Sequence, residues 1–392
     1  MRSLKAFSTG ALATLLFAGI LTKWVQYRWA VSLFQTGAFS LGICWAIRFV
    51  LRPFALEGSI LLIPLSATSM WGLVQLAFGQ TVYRWQTWDS VLQWCANLTL
   101  FFLALQIFSE PALRERFLRA ILYFATVLSV LGCIQMFSSD GRMFWLFPIE
   151  YKEFVVGPFV YHTQYAGFIE LVLPLAVVGA LDDRQKMLSY AAIAATLYAS
   201  VVVSASRAGM VLVSAEILAI FLLAPRRHHT SIRNRLLMLA LVTGLALLFT
   251  AVVGWDTLWH RFLQSDPYAV RREFLQSSLA MIRDRPWMGF GLGTWSTAYP
   301  AYALFDNGLF ANQAHNDWAQ WTVEGGAPFL LFMLWIAVRS VASAVRALWG
   351  IGVVAVFAHS LIDYPLGRPA LAGFFFVFLG VIEAARNSEK RS

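Results

Sequence analysis

The run AHNDWAQWTVEGG (314–326) sets a histidine, His315, just ahead of a stretch with helical spacing, with Asn316, Asp317, Gln320 and Glu324 behind it. Asn316, Gln320 and Glu324 recur every four residues, so they share one stripe of an otherwise apolar helix. Such a stripe turns toward a cavity or a partner helix and away from lipid. The positive end of the helix dipole disfavours a cationic imidazole, so a histidine there is neutral and able to accept a proton. The competing role is N-capping, for which Asn and Asp are favoured.

Two groups of arginines accompany it. SASRAG (204–209) puts Arg207 in a tight turn between two apolar runs, where anchoring at the membrane interface is the plainer alternative. Arg271 and Arg272 open, and Arg283 and Arg285 close, a stretch whose apolar positions Phe274, Leu275, Leu279 and Ile282 predict an amphipathic helix over 270–285. Guanidinium forks bind phosphate bidentately, and attraction to lipid headgroups is the competing role. Glu170 and Glu216 lie inside apolar runs, where a carboxylate is costly and so either functional or paired with an arginine or hydroxyl. His359 and Asp363, four apart, are expected to hold one another in place, and His228 and His229 to be solvated in the basic run PRRHHTSIRNR. The six histidines are scattered, with no HExxH and no Asp-x-Asp pair, so no metal or other cofactor is expected. GFGLG (289–293) follows no buried strand and is not read as a nucleotide loop.

The elements that must carry these residues follow from composition. Of 392 residues, 59% are hydrophobic and 13% are charged. A soluble domain carries about 25% charged residues. This excludes a soluble enzyme, a disordered chain, a secreted disulfide scaffold and, despite the net charge of +9, a nucleic-acid-binding domain. Cys44, Cys95 and Cys133 all fall in apolar runs and form neither a disulfide framework nor a zinc site. Twelve apolar intervals approach bilayer-crossing length: 6–22, 29–50, 56–79, 90–109, 118–138, 163–181, 187–204, 208–224, 236–254, 322–343, 347–362 and 369–385. The first lacks a cleavage site and is read as a retained helix. The expected fold is an all-α polytopic membrane protein, one integral domain over 1–392, with a long loop at 255–314 forming short amphipathic helices. Lysine and arginine concentrate in alternate short loops, which predicts cytoplasmic termini and an outer, periplasmic long loop.

Taken in order, SASRAG, Arg271 twelve residues before RDRPWMGFGLGTW, AHNDWAQWTVEGG and HSLIDYPLGRPA resemble the O-antigen ligase and polymerase superfamily over about 155–382. The resemblance implies a glycosyltransferase C-like fold in the bacterial inner membrane. It implies transfer of a glycan from an undecaprenyl pyrophosphate donor to an acceptor hydroxyl at the periplasmic face, without metal or nucleotide. It assigns Arg207 and Arg271 to the pyrophosphate and His315 to the general base. Beyond the resemblance, Arg272, Arg283, Arg285, Asn316, Glu324, His162 and Gln164 are expected as substrate contacts. Two departures bear on substrate choice. FVYHTQYAG (159–167) carries His162 and Gln164 where the family has an Asn-rich turn, and the aromatic that many members carry as Trp is near Phe274 here. The favoured acceptor is lipid A-core; a second glycan chain (polymerase) or a protein hydroxyl are the alternatives in the same chemistry. The rival of a different class is a transporter, against which the polar residues gather at one face and not at the midplane.

Overall fold

Two helices with apolar residues on every side occupy the centre, as expected of fully surrounded helices. They are His162–Asp182 and Pro369–Glu389, the latter pairing with Arg84–Ile107. The computed structural model describes residues 2–25, 27–149, 156–224, 232–253, 269–305, 308 and 310–391. In chain order the long helices are α1 (Arg2–Leu21), α2 (Arg28–Leu51), α3 (Leu62–Ala77), α4 (Arg84–Ile107), α5 (Pro111–Ser138), α6 (His162–Asp182), α7 (Met187–Val203), α8 (Arg207–Leu223) and α9 (Ile232–Val253). Then follow α10 (Ala269–Asp284), the one-turn α11 (Trp295–Ala298), α12 (Asp317–Ala344), α13 (Gly352–His359) and α14 (Pro369–Glu389).

The all-α reading holds: the described residues contain no strand, only two isolated bridges. Among the described residues seven helices are long and apolar enough to cross a membrane, namely α1, α2, α4, α5, α6, α12 and α14. The expected span at 347–362 is instead a 3-10 turn (Leu348–Gly350) followed by the eight-residue α13. At 1.5 Å per residue α13 is about 12 Å long, well short of a hydrocarbon core of about 30 Å. The interval 56–79 is helical only over α3. Of the expected long loop, residues 255–268 lie outside the described residues, as do His228 and His229.

The predicted amphipathic helix is α10. Its Phe274 and Met281 pack with Phe290, Trp295, Tyr299, Ala314 and Val323 in a small core separate from the main one. Buried Glu273 locks it there, accepting from Tyr299 Oη (2.7 Å), Ser277 Oγ (2.9 Å) and Leu304 N (3.0 Å).

Helix α12 is broken at Gly326 (φ 67°, ψ −169°), two residues before Pro328. Breaking a helix frees carbonyls that must find donors inside an apolar protein. The GFGLG loop supplies them. Phe290 N donates to Val323 O (2.9 Å), Gly291 N to Glu324 O (3.0 Å), and Ala327 N to Pro286 O (2.8 Å). From α3, Trp71 Nε1 donates to Gly325 O, while Gln75 donates to Met288 O and Glu324 O and accepts from Leu292 N. A Cβ at Gly289 would stand 2.4 Å from Glu324 O, so only glycine permits this approach. The loop after α10 and the kink of α12 are thereby one clamped unit, which fixes Arg271 and His315 relative to each other.

Candidate active site

His315 sits at φ 51°, in the left-handed region, one residue before the N-cap of α12. Asn316 is that cap: its Oδ1 accepts from Ala319 N (2.9 Å) and its Nδ2 donates to Leu361 O (2.7 Å). Capping is therefore the role observed for Asn316. Asp317 ties the same turn to the α13–α14 connection, with its amide donating to Ser360 O and Asp363 O and its carboxylate accepting from Ser360 Oγ and Leu366 N. The His315 ring is thus held against Asp363, three aromatic rings and the start of α10.

Asp363 is 2% exposed and organises the cluster. Its Oδ2 accepts from Arg271 Nη2 (2.9 Å) and Tyr161 Oη (3.3 Å), and its Oδ1 accepts from Tyr364 N (2.9 Å). His315 Nδ1 stands 3.5 Å from Asp363 Oδ1 and 3.4 Å from Tyr161 Oη. Arg271 also donates to Ile362 O (3.0 Å) and to Tyr161 Oη (3.1 Å). Burial alone would raise the Asp363 pKa, but the His315 hydrogen bond and the charges of Arg271 and the two histidines outweigh it and hold the carboxyl at about 2. Asp363 is accordingly a carboxylate at any working pH. Tyr161 is pushed up by burial and by the Asp363 charge, and stays a phenol. Phe274 stacks on the imidazole (5.8 Å between centroids, 21°), and Tyr364 meets it edge-on at 4.8 Å.

Both groups facing Nδ1 have oxygen lone pairs, so the surroundings assign the ring proton to Nδ1 and leave Nε2 as the basic nitrogen. A histidine oriented by a carboxylate through Nδ1, beside an arginine that keeps 25% of its side chain exposed, can take a proton from a hydroxyl at Nε2 while a cation holds a nearby oxyanion.

Arg207 begins α8, whose N-cap Ser206 accepts from Gly209 N (3.2 Å) after Ala205 at φ 53°. Gly209 abuts Ala166 near the start of α6, so Arg207 emerges at the same end of the bundle as Tyr161. His162 opens α6 with its ring 5.3 Å from that of Tyr161. Gln164, one turn on, is buried and accepts from Lys23 Nζ.

The remaining expected contacts fall elsewhere. Arg283, in the last turn of the Arg271 helix, and Arg285, just past its end, are exposed, with Arg285 lying 4.8 Å over Phe290. Twelve residues of helix place Arg283 about 18 Å from Arg271 along the axis, so these two do not join the cluster. Arg272 is exposed beside Arg271. Glu324 is spent on structure: its Oε2 accepts from Gly293 N (2.8 Å), and its Oε1 from Trp295 N (3.3 Å) and Gln320 Nε2 (3.0 Å). Of the polar stripe, Glu324 therefore faces the GFGLG loop, while Asn316 bonds Leu361 O and Gln320 accepts from Ala314 N. His359 does not hold the Asp363 carboxylate; its Nδ1 contacts Glu170 at 2.7 Å, both residues fully buried between α13 and α6. Tyr161 went unrecognised because an aromatic in an aromatic-rich run carries no spacing signal. Asp363 was noticed but given the wrong partner.

Residues 191–334 match the O-antigen ligase family. The match covers three of the four motifs, leaving HSLIDYPLGRPA outside it; over that stretch it bears out the superfamily resemblance and supports a membrane glycosyltransferase of the O-antigen ligase or polymerase type. The matched stretch contains Arg207, Arg271 and His315; Tyr161 and Asp363 reach the site from outside it. No curated protein matches the chain.

Proposed function

We propose that the protein moves a glycan from a polyprenyl pyrophosphate, undecaprenyl by the family resemblance, to an acceptor hydroxyl, most simply as an O-antigen ligase with lipid A-core as acceptor. The observation that carries this reading is the convergence of His315, Asp363 and Arg271 in one cluster, with two of the three inside the ligase-family segment. His315 Nε2 takes the proton of the attacking hydroxyl, a step that contributes typically about 10²–10⁴-fold. Asp363 and Tyr161 hold the ring and stabilise the imidazolium that forms. The hydroxyl oxygen bonds to the anomeric carbon as the carbon–oxygen bond to the pyrophosphate breaks. Pyrophosphate departs already charged, so no general acid is required, and Arg271 with Arg207 receives the negative charge. The site is assigned to the periplasmic face of the inner membrane, with both termini in the cytoplasm.

The test is glycan transfer by the purified protein in detergent, with EDTA present, from an undecaprenyl pyrophosphate-linked glycan to lipid A-core. Wild-type transfer that is lost in both His315→Ala and Arg207→Ala is the expected result. Glycan that lengthens on its carrier and never reaches lipid A-core turns the reading to a polymerase. A folded wild type that transfers to no glycan or protein acceptor sinks it.

A further inference from the structure

A second group of hydrogen-bond donors lies next to the cluster, on residues the transfer chemistry leaves unused. Lys23, in the turn between α1 and α2, reaches the first turn of α6, with Nζ 4.9 Å over the Phe159 ring and donating to Gln164 Oε1. Lysine can only donate, so it must take the amide oxygen. That leaves Gln164 Nε2 as a donor with no partner among the described residues, on a side chain only 2% exposed. Arg368, the N-cap of α14, adds its charge to the Lys23 environment and hydrogen-bonds the Tyr364 side chain. Among the described residues neither Lys23 nor Arg368 has a carboxylate within ion-pair distance. Tyr364 stacks on Tyr161 (5.6 Å, 19°), and Tyr161 in turn bonds Arg271, so this tyrosine pair stands between the two basic groups.

We propose that Lys23, Gln164 and Arg368 form an oxyanion-binding subsite, distinct from Arg271, for a phosphate or carboxylate carried by a substrate. A lysine bonded only to an amide oxygen, an arginine whose charge reaches that lysine, and a buried amide NH2 with no acceptor lie together. Leaving such a donor unmet is unfavourable by itself. Burial, and then the Arg368 charge, push the Lys23 ammonium well below its ordinary value, the direction expected of a cation that lacks its counter-ion. An anion between these groups would satisfy the amide and offset both charges. That the anion belongs to a lipid-linked glycan or its acceptor rests on the proposed transferase reading; that an anion binds does not.

The first experiment titrates inorganic phosphate into the full-length protein in detergent by calorimetry. Wild type is compared with Lys23→Met, Arg368→Gln and Lys23→Arg, with thermal unfolding as the check on folding. The expected result is affinity about tenfold weaker or more in Lys23→Met and in Arg368→Gln, the scale of one charge-assisted hydrogen bond, and recovery in Lys23→Arg. Equal affinity in wild type and the two charge-removing variants, or no binding by wild type, overturns the subsite and leaves Lys23 as a tether of the α1–α2 turn. Should Lys23→Met not fold, Arg368→Gln carries the same decision. The transfer assay then identifies the source: a raised KM for the lipid-linked donor places the anion there, and a raised KM for the acceptor places it on the acceptor. Absence of transfer by wild type would count against the transferase reading while leaving the phosphate titration to decide the subsite.

Discussion

Replacing Asp363 by asparagine changes one atom and should reverse the hydrogen-bond sense of the whole cluster. Arg271 Nη2 and Tyr161 Oη both donate into Oδ2, so the amide carbonyl must take that place. The new NH2 then lands at the Oδ1 position, 3.5 Å from His315 Nδ1 and against the Tyr364 amide that donates there now. Facing a donor, Nδ1 becomes the acceptor and the ring proton moves to Nε2, the nitrogen assigned to the acceptor hydroxyl. The base is lost though every atom stays within reach of its neighbours. The expected fall in kcat equals the whole general-base contribution, about 10²–10⁴-fold. Arg271 keeps its position, so the donor KM should change by less than about threefold, a bound on the scale of a few tenths of a kcal/mol. The assay is single-turnover glycan transfer by wild type, Asp363→Asn, His315→Ala and the double variant. Groups that act as a unit are non-additive, so the double variant should be no slower than the slower single one. A wild-type rate in Asp363→Asn, or losses that multiply in the double variant, would refute the Asp363–His315 unit.

Three other outcomes follow from the same geometry. Tyr161→Phe removes the hydroxyl that bridges Arg271 and Asp363, and should cost about tenfold in transfer rate, the scale of one hydrogen bond to charged groups, with no loss of folding by thermal melt. Acid stability should carry the Asp363 signature. Its folded pKa of about 2 lies below the unfolded value of about 3.9, so its stabilisation is complete above the unfolded value and fades as pH falls toward 2. That difference is worth about 2–3 kcal/mol, and Asp363→Asn should flatten the fall in melting temperature between pH 5 and 2.5. Gln75→Leu strips partners from Met288 O, Glu324 O and Leu292 N, and should destabilise by about 2–5 kcal/mol and slow transfer, whereas a melting temperature unchanged from wild type would dissolve the clamp.

How much of this could be read beforehand depends on which signals are local. Apolar runs gave the helices, because a chain that must hide its backbone from lipid has few other choices. The run at 347–362 differs for a reason visible in the fold: α13 is only eight residues long and packs against α6, a contact that its apolar residues serve. Gly352 packs so closely there that a Cβ would meet Glu170 O at 2.0 Å. The i,i+4 rule holds for the amphipathic α10 and for Gln320 and Glu324 of α12, with Asn316 the cap just outside the helix. It failed for His359 and Asp363 because α13 ends at His359, and spacing arithmetic has no meaning past the last helical turn. Their side chains part company, one to Glu170 inside the bundle, the other to the surface cluster.

Long-range partnerships have no local trace at all. Tyr161 reaches Asp363 across 202 positions and Lys23 reaches Gln164 across 141, and only the packing of α1, α6 and the α13–α14 connection brings them together. The glycines are the instructive middle case. GFGLG follows no buried strand and offers no nucleotide loop, while Gly325–Gly326 falls inside the expected span 322–343 and gives no local sign of a break. What spacing could not say is that the two glycine runs meet each other. Each frees or exposes backbone groups that the other satisfies, with Glu324 and Gln75 closing the gaps. Loss of helix at that depth is tolerable only because the two breaks are paired. The pairing holds the arginine helix against the histidine turn, so the polar residue that looked most like a ligand contact, Glu324, serves the site by fixing the distance between the two groups that do the chemistry.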